Sequence, residues 1–476
     1  FFLYLSDMKA IANNVTLCRK PKVMKKTSAY QDFKDTLPLA LPMISSQISY
    51  ILMGAIDNIM VAKVGVDELA TTAFCNNLYA IFIVTQTGLA SAASPLISSA
   101  IGSGQNFRVG KLLRHSMVLL FLFSLFSVLG MLFVGSHLEW FDQTEAVNNL
   151  FWSYFPWLIA TLPLVALFQS QRQFYDGIHH SKIPMAYNYL AIPLNAFFNW
   201  IFIFGKFGIP AMGIYGAGLA TFLARLCIFV LFTKHTFFNE TYEKLYRLSF
   251  KKFQLEKDIW KTIVKLGVPS SCQYLFEVGA FATAGILAGQ LGKIEIASHQ
   301  IALNIGSFTF MVAMGWSFAA SVKIGGVLGK GEFHRIREMG FNHIKIVSVY
   351  MTIISILFFS FRYQLPLIYL DNEEITSLVA KILLIAGVFQ LADGIQAVSI
   401  GILRGLQESL RPTIITMVSY WVIAIPLANY LAFYTDFQLI GIWIALAIGL
   451  SISASGLVFL IHRVSKNIGE VGFVSK

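Results

Sequence analysis

Long stretches without a charged residue are the feature that most limits how this chain can fold. They include residues 115–138, 146–171, 296–322 and 437–462, and a helix needs only about 20 apolar residues to cross a bilayer. Only 13% of the 476 residues are charged, against about 25% in a soluble domain. The mean hydropathy is +0.66. These figures predict a polytopic membrane protein and exclude a disordered chain, a coiled coil and a collagen.

The charged and sulfur-containing residues do not indicate another class of protein. A net charge of +11 would favour a nucleic-acid partner in a soluble protein. Here the basic residues cluster between the apolar stretches, so no nucleic-acid partner is predicted. Cys18, Cys75, Cys227 and Cys272 are scattered along the chain, which predicts neither a disulfide framework nor a zinc site.

The apolar stretches predict an all-α membrane protein with twelve transmembrane helices. This count allows single charges, such as Arg225, Glu277 and Asp393, inside a span. Span boundaries read from sequence are good to a few residues. The predicted spans are 35–62, 74–101, 113–136, 150–176, 184–205, 212–236, 259–290, 298–328, 340–362, 376–404, 412–434 and 437–464.

The charges of the connecting loops predict the orientation of the chain. Basic residues concentrate in the N-terminal segment and in every second connection, and residues 234–265 alone contain eight. That side holds 30 of the 36 Lys and Arg, whereas the opposite loops hold only Lys63, Lys206, Lys293 and Arg362. The positive-inside rule then predicts a multi-pass protein of the inner (plasma) membrane with both termini in the cytoplasm.

The second half of the chain repeats the first. At an offset of 227 residues Pro42 falls on Pro269 and Gly102 on Gly329, and an offset of 228 continues the agreement further along. Such residues mark kinks, turns and close helix contacts. Because six spans is an even number, both halves enter the membrane from the same side, as in transporters that rock two lobes. The predicted domains are a basic tail 1–34, an N-lobe 35–236, a cytoplasmic linker 237–258, a C-lobe 259–464 and a C-terminal tail 465–476.

Two homologous six-helix lobes favour a transporter over other membrane proteins. A channel would need a filter-like loop, and a major-facilitator transporter would carry an acid in the loop 102–115, which has none. An enzyme would need a cluster of His, Cys or Asp with catalytic spacing, and the sequence contains no such cluster. The sequence has no Walker A motif. We therefore predict transport driven by an ion gradient, no enzymatic activity and no cofactor beyond the coupling ion.

Three acids lie inside predicted spans, namely Asp57, Glu277 and Asp393. A charge at the centre of a membrane costs about 2.5–3.5 kcal/mol on insertion scales, so such residues are candidates for function. The alternative for each is a structural carboxylate satisfied by a hydroxyl or an amide. Two carboxylates that face one dry cavity either share a proton or hold a cation, because like charges repel. Glu277 and Asp393, both in the C-lobe, are predicted to act in this way.

Five segments give the chain a family resemblance. Residues Leu37–Ala70 resemble the opening signature of the multidrug and toxic compound extrusion (MATE) family, and ASHQIALN (Ala297–Asn304) looks like its AHQ-hydrophobic-ALN motif. Ile192–Pro210, Leu275–Phe281 and Ala392–Gly405 most resemble the NorM branch. The resemblance covers nearly all of residues 35–465, and the order and spacing of the segments are more specific than any one of them.

The resemblance implies roles for particular residues. It implies that Glu277 and Asp393 form a Na⁺ site and that Asp57 is a second cation-coupling acid, with Asn195 as a partner. The DinF-like branch has an aspartate where this chain has Asn199, which agrees better with a NorM-like pattern. One turn before Asp393 the resemblance implies a tyrosine, but this chain has Phe389. A cation–π contact is therefore expected there, but no phenol ligand.

Further polar residues are candidates for lining the cavities, although their simpler interpretation is hydrogen bonding between helices. These candidates are Asn195, Asn199, Gln273, Tyr274, Gln300, Asn304, Phe389 and Gln396. The resemblance implies a secondary active transporter, a monomer in the lipid bilayer, that exports cationic or amphipathic small molecules in exchange for Na⁺ or H⁺. The alternative is a flippase for lipid-linked or other organic substrates with the same fold.

Overall fold

The computed structural model describes residues 28–250 and 253–474, and side chains up to residue 468. Three parts of the chain lie outside the described residues. They are most of the predicted N-terminal tail, residues 251–252 of the predicted linker and the C-terminal end. No strand occurs among the residues that are described. The all-α class predicted from the sequence is therefore confirmed.

Sixteen α-helices follow one another along the described chain. A 3₁₀ turn, Leu138–Phe141, lies between α4 and α5, and a π-helical segment, Val418–Ala424, joins α14 to α15. The helices are α1 (Ala29–Ala62), α2 (Val66–Ala90), α3 (Ala93–Gly102), α4 (Asn106–Gly135), α5 (Glu145–Gly177), α6 (Lys182–Phe204), α7 (Gly213–Phe237), α8 (Glu240–Tyr246), α9 (Lys257–Leu291), α10 (Lys293–Gly329), α11 (Phe333–Ser360), α12 (Gln364–Leu367), α13 (Glu373–Gly405), α14 (Leu410–Met417), α15 (Ile425–Phe433) and α16 (Gln438–Val474).

Eleven helical segments of the described chain are long and apolar enough to cross a membrane. The predicted span 184–205 corresponds to α6, a helix of 23 residues that is not among the eleven. Asn188, Asn195 and Asn199 are buried in α6, and these three amides lower its hydropathy. The structure thus has a helix at each predicted span, but the count of twelve membrane crossings stays a prediction.

The first helix begins earlier than predicted, at Ala29 instead of residue 35. Its first turn is held by Asp32, which is 1% exposed. Asp32 accepts a hydrogen bond of 2.7 Å from Asn342 Nδ2 and lies 3.5 Å from Arg335. An acid near a helix N-terminus also interacts favourably with the helix dipole. Residues 29–34, assigned to the tail from the sequence, therefore belong to α1.

The chain forms two compact units with interleaved segments. The N-terminal unit contains Ser45–Ser94 and Asn106–Leu275, and the C-terminal unit contains the described residues up to Ile44, Pro95–Gln105 and the described residues from Phe276 onward. The unit boundaries thus fall inside α1, α3 and α9, and the lobes 35–236 and 259–464 stay a prediction. Each unit has its own apolar core.

Glycines allow α3 to approach α10 closely within the C-terminal unit. A Cβ atom at Gly102 would collide with the carbonyl oxygen of Gly326, and one at Gly329 with that of Ser99. The 227-residue offset places Ser99 on Gly326 and Gly102 on Gly329, so the contact is reciprocal. Small residues permit such backbone contact between membrane helices, and this explains why the repeat retains glycine at these positions.

A second pair of glycines makes matching contacts in the two units. A Cβ at Gly88 would lie 2.6 Å from the backbone of Ser271 in the N-terminal unit, and one at Gly315 would lie 2.6 Å from the backbone of Ile44 in the C-terminal unit. The offset of 227 relates both glycines and both of their partners. The internal repeat is therefore a repeat of helix contacts as well as of sequence.

Candidate functional site

Two of the predicted acids lie beside one another in the C-terminal unit. Asp393 on α13 is 5% exposed, Glu277 on α9 is half-buried, and the two side chains interact electrostatically. Gln396 lies one turn after Asp393 and is fully buried. Its Nε2 donates to Glu277 Oε1 at 3.4 Å and to the Tyr420 hydroxyl at 3.0 Å. The structure thus brings together Glu277, Asp393 and Gln396, all of which the sequence indicated.

Two oxygens of this cluster lack a protein partner. In the part of the chain that the structure describes, Asp393 Oδ1 and Gln396 Oε1 are buried without a hydrogen bond. Buried polar atoms are nearly always paired, and an unpaired one typically costs about 1–3 kcal/mol. Arg404 interacts electrostatically with Glu277 and offsets part of the negative charge. Unpaired oxygens beside two acids form a set of groups that a small cation can satisfy.

The π-helical segment supplies the aromatic side of this cluster. Tyr420 is fully buried and accepts the hydrogen bond from Gln396 on α13. The next residue, Trp421, donates from Nε1 to the carbonyl oxygen of Phe276 on α9 at 3.0 Å. Sequence analysis expected no phenol at this site, and the structure provides one from a different span.

Phe389 packs within an aromatic cluster one turn before Asp393. Its ring centroid lies 6.0 Å from that of Phe281 and 5.7 Å from that of Trp443, and the residue is 5% exposed. Phe281 in turn lies 6.1 Å from Tyr420. The position of Phe389 near the acids is as expected, and its predicted contact with a cation stays a prediction.

The donor atoms of this cluster favour an alkali cation over a transition metal. Among the described residues, no group of three or more His, Cys, Asp and Glu side chains is placed to hold a metal ion. Hard cations take oxygen ligands, including amides and hydroxyls as well as carboxylates. Glu277, Asp393, Gln396 and Tyr420 offer such oxygens.

The N-terminal unit contains the third predicted acid and its predicted partners. Asp57 on α1 accepts a hydrogen bond of 2.6 Å from Asn199 Nδ2, which also lies 3.1 Å from Asn195 Oδ1. Both asparagines are on α6, one turn apart, and are almost completely buried. The structure therefore brings Asp57, Asn195 and Asn199 together as the sequence predicted.

A half-buried arginine next to this acid was not linked to it from the sequence. Arg225 Nη1 on α7 donates to Thr161 Oγ1 at 2.9 Å and to the Tyr79 hydroxyl, and its guanidinium lies 5.1 Å from the Tyr79 ring centroid. It also interacts electrostatically with Asp57. Sequence analysis gives Arg225 no role at the site. A single charge in an apolar run was the available signal.

A second ionic group of the N-terminal unit was also missed. Arg172 and Asp176, one turn apart on α5, are buried and lie 3.6 Å apart. Arg172 Nη2 donates to Gln47 Oε1 at 3.1 Å, and Nη1 lies 3.5 Å from the Tyr50 hydroxyl. The sequence grouped Arg172 with the basic loops. The acid four residues later, on the same helix face, could have revealed the pair.

The remaining predicted residues lie elsewhere. Gln300 and Asn304 are exposed on α10, and their amides are 3.5 Å apart. Gln273, which is 2% exposed, and Tyr274 belong to the N-terminal unit. Tyr274 interacts electrostatically with Arg172 of the ionic group on α5, whereas Gln300 and Asn304 lie apart from the clusters around Asp393 and Asp57.

The MatE family model matches the chain over residues 42–201 and 269–430, more than half of its length. The two matches begin at Pro42 and Pro269, the prolines that the 227-residue offset superposes. The sequence is 29% identical to the probable multidrug resistance protein NorM of Bradyrhizobium diazoefficiens, over 92% of this chain and 94% of that protein. It is 30% identical to the protein of the same description in Rhodopseudomonas palustris, over 93% and 94%.

A solved structure has a similar backbone. The structure described as MATE in the bent conformation superposes with a TM-score of 0.85 at 20% sequence identity, covering 94% of this chain and 100% of that one. At this level of identity the similarity concerns the fold. It agrees with the sequence comparisons over the same length of chain.

Proposed function

Because this chain belongs to the MATE family of membrane transporters, we propose that it is a secondary active multidrug efflux transporter. It exports cationic or amphipathic compounds in exchange for Na⁺ or H⁺. The observation that carries the proposal is the pair of acids on α9 and α13, Glu277 and Asp393, linked through Gln396 in a chain similar to proteins described as multidrug resistance proteins. It is not an enzyme.

The C-terminal cluster is the proposed site of the driving cation. The two acids and the unpaired oxygens of Asp393 and Gln396 offer negative charge and lone pairs in a buried position. Binding a cation there reduces the repulsion between Glu277 and Asp393. A proton shared by the two carboxylates would satisfy the same requirement. We favour Na⁺, because the unpaired oxygens of Asp393 and Gln396 are ligands that a proton does not need.

Coupling follows if the driving cation and the drug favour different conformations. A ligand shifts a conformational equilibrium only by the difference between its affinities for the two states, and such couplings are typically about 1–3 kcal/mol. Entry of the cation at Glu277 and Asp393 favours release of the drug, and binding of the drug favours release of the cation. Asp57 acts as a second acid in the N-terminal unit, with Arg225 beside it.

The orientation and assembly of the transporter are part of the proposal. The basic residues on one side of the predicted spans support an inner-membrane protein with both termini in the cytoplasm. The substrates are small organic cations, because the acids and buried aromatic rings of the C-terminal unit favour positive charge. We propose that a monomer suffices, since each candidate cluster is built from one chain.

Efflux of a cationic dye tests the proposal. Cells that express the protein are loaded with ethidium, and its efflux is followed with and without an inward Na⁺ gradient. Glu277→Gln and Asp393→Asn keep side-chain size but remove a charge, so each should abolish Na⁺-driven efflux. Asp57→Asn should impair efflux while Na⁺ binding stays measurable.

The matched control is Glu374→Gln, which removes an acid from the exposed first turn of α13 and should have no effect. Normal Na⁺-driven efflux by both Glu277→Gln and Asp393→Asn would show that the C-terminal site is assigned wrongly. An absence of dye efflux by the wild-type protein, together with movement of a lipid-linked substrate, would instead support a flippase.

A further inference from the structure

Tyr420 occupies a place in the C-terminal unit for which the proposed transport mechanism gives no role. Its side chain is fully buried, and its hydroxyl accepts a hydrogen bond of 3.0 Å from Gln396 Nε2. The hydroxyl also interacts electrostatically with both Glu277 and Asp393. A phenol is both a donor and an acceptor, so Tyr420 has a hydrogen and a further lone pair beyond the bond to Gln396.

We infer that Tyr420 and Gln396 complete an oxygen-lined binding site for the driving cation, in which the phenol oxygen and the amide oxygen join the carboxylates of Glu277 and Asp393. This inference rests on the proposed function, since it names further ligands of the same site. The site would select a small alkali cation that binds four protein oxygens.

Two unpaired oxygens are a further observation that supports this assignment. Gln396 uses its Nε2 for both Glu277 and Tyr420, while its Oε1 is buried and unpaired among the described residues. Asp393 Oδ1 is in the same situation. A rotation about the last side-chain bond of glutamine exchanges its oxygen and nitrogen at small cost. Gln396 can therefore present either an N–H to the carboxylate or an oxygen to a cation.

The π-helical segment explains how one helix reaches both acid-bearing helices. Consecutive residues of this segment point to different partners, because Tyr420 contacts Gln396 on α13 and Trp421 donates to Phe276 on α9. Phe276 immediately precedes Glu277 in the chain. π-helical turns inside α-helices occur frequently at functional sites. The segment Val418–Ala424 thus positions the phenol between the helices that carry the two acids.

Equilibrium binding of ²²Na⁺ to the purified full-length protein in lipid nanodiscs tests the inference without requiring transport. Tyr420→Phe removes one oxygen and keeps the ring. We expect its Na⁺ dissociation constant to rise about 10-fold, the lower end of the effect of losing a supporting group at a metal site. Gln396→Leu is the second variant and should weaken Na⁺ binding at least as much.

The control is Tyr350→Phe, which removes another partly buried hydroxyl of the C-terminal unit, one that donates to the Thr309 carbonyl at 3.0 Å. It should leave the Na⁺ dissociation constant unchanged. The thermal unfolding midpoint of each variant is measured as well. It shows whether the lost hydroxyl stabilised the fold instead of binding Na⁺. A lower midpoint for Tyr420→Phe with unchanged Na⁺ affinity would overturn the inference.

The same assay separates this inference from the proposed function. Loss of Na⁺ binding in Glu277→Gln, with wild-type affinity in both Tyr420→Phe and Gln396→Leu, would refute only the added ligands. Wild-type affinity in Glu277→Gln would refute the coupling site, and no Na⁺ binding by the wild-type protein would refute both. If Tyr420→Phe does not fold, Gln396→Leu decides the question.

Discussion

Amide side chains hold a half-buried acid in each unit. Asn199 donates to Asp57, and Gln396 donates to Glu277. An amide satisfies a carboxylate oxygen without neutralising its charge, so the charge stays available to a cation.

The acids are not equivalent in the repeat, because the offset of 227 places Asp57 on Ala284. Each half therefore has its own polar chemistry on a shared arrangement of helices.

The sequence indicated the acids more readily than their partners. Asp57, Glu277 and Asp393 are conspicuous because a charge is rare in an apolar stretch. Tyr420 is one of 18 tyrosines, and its role depends on contacts with Gln396, 24 residues away in the chain. Periodicity and composition contain no information about such packing between spans. The neighbours of Arg225 were hidden for the same reason.

A double-mutant cycle tests whether Arg225 and Asp57 act as a pair. Arg225→Met should lower the free energy of unfolding by about 1–3 kcal/mol, because it removes the hydrogen bonds to Tyr79 and Thr161 and the positive charge near Asp57. In the Asp57→Asn background the same change should cost less, with a coupling of about 0.5–3 kcal/mol. Unfolding by denaturant in detergent measures both values. Strictly additive effects would show that Arg225 serves only Tyr79 and Thr161.

At the level of elements, the helices were predicted well and their irregularities were not. The apolar stretches located the eleven helical segments of the described chain that are long and apolar enough to cross a membrane, since apolar length determines what can cross a bilayer. The π-helical segment Val418–Ala424 was predicted as part of a regular span, because one wider turn leaves no mark on composition. In α6, the buried asparagines that lower its hydropathy include the two that hold Asp57. The polar contacts of Asp57 have thus weakened the signal that predicts this span.

Close packing of α3 on α10 should make Gly329 intolerant of a side chain. Gly329→Ala places a Cβ against the backbone of Ser99, and overpacking of this kind typically costs about 1–3 kcal/mol. Gly54→Ala is the matched control, because a Cβ there has no atom within 4 Å and alanine favours a helix interior by up to about 1 kcal/mol. Thermal unfolding in detergent should give a clearly lower midpoint for Gly329→Ala. Equal midpoints would contradict the packing argument.

For the whole molecule, the sequence revealed the repeat but not the division into units. The family matches that begin at Pro42 and Pro269 agree with the offset found from glycines and prolines. The unit boundaries lie inside long helices such as α1 and α9. A helix can change its packing partners halfway along without any change in composition. Composition and loop positions therefore do not mark where these units begin and end.

The orientation of the whole molecule is tested by chemical labelling from one side of the membrane. Asp142 and Glu373 are exposed in connections predicted to face outward, whereas Glu240 is exposed in a connection predicted to face the cytoplasm. Single cysteines at these positions, in a background without the native cysteines, should differ in their reaction with a membrane-impermeant thiol reagent. Asp142→Cys and Glu373→Cys should react in intact cells, and Glu240→Cys only after permeabilisation. The reverse pattern would invert the topology, and with it the direction in which the cation gradient drives the drug.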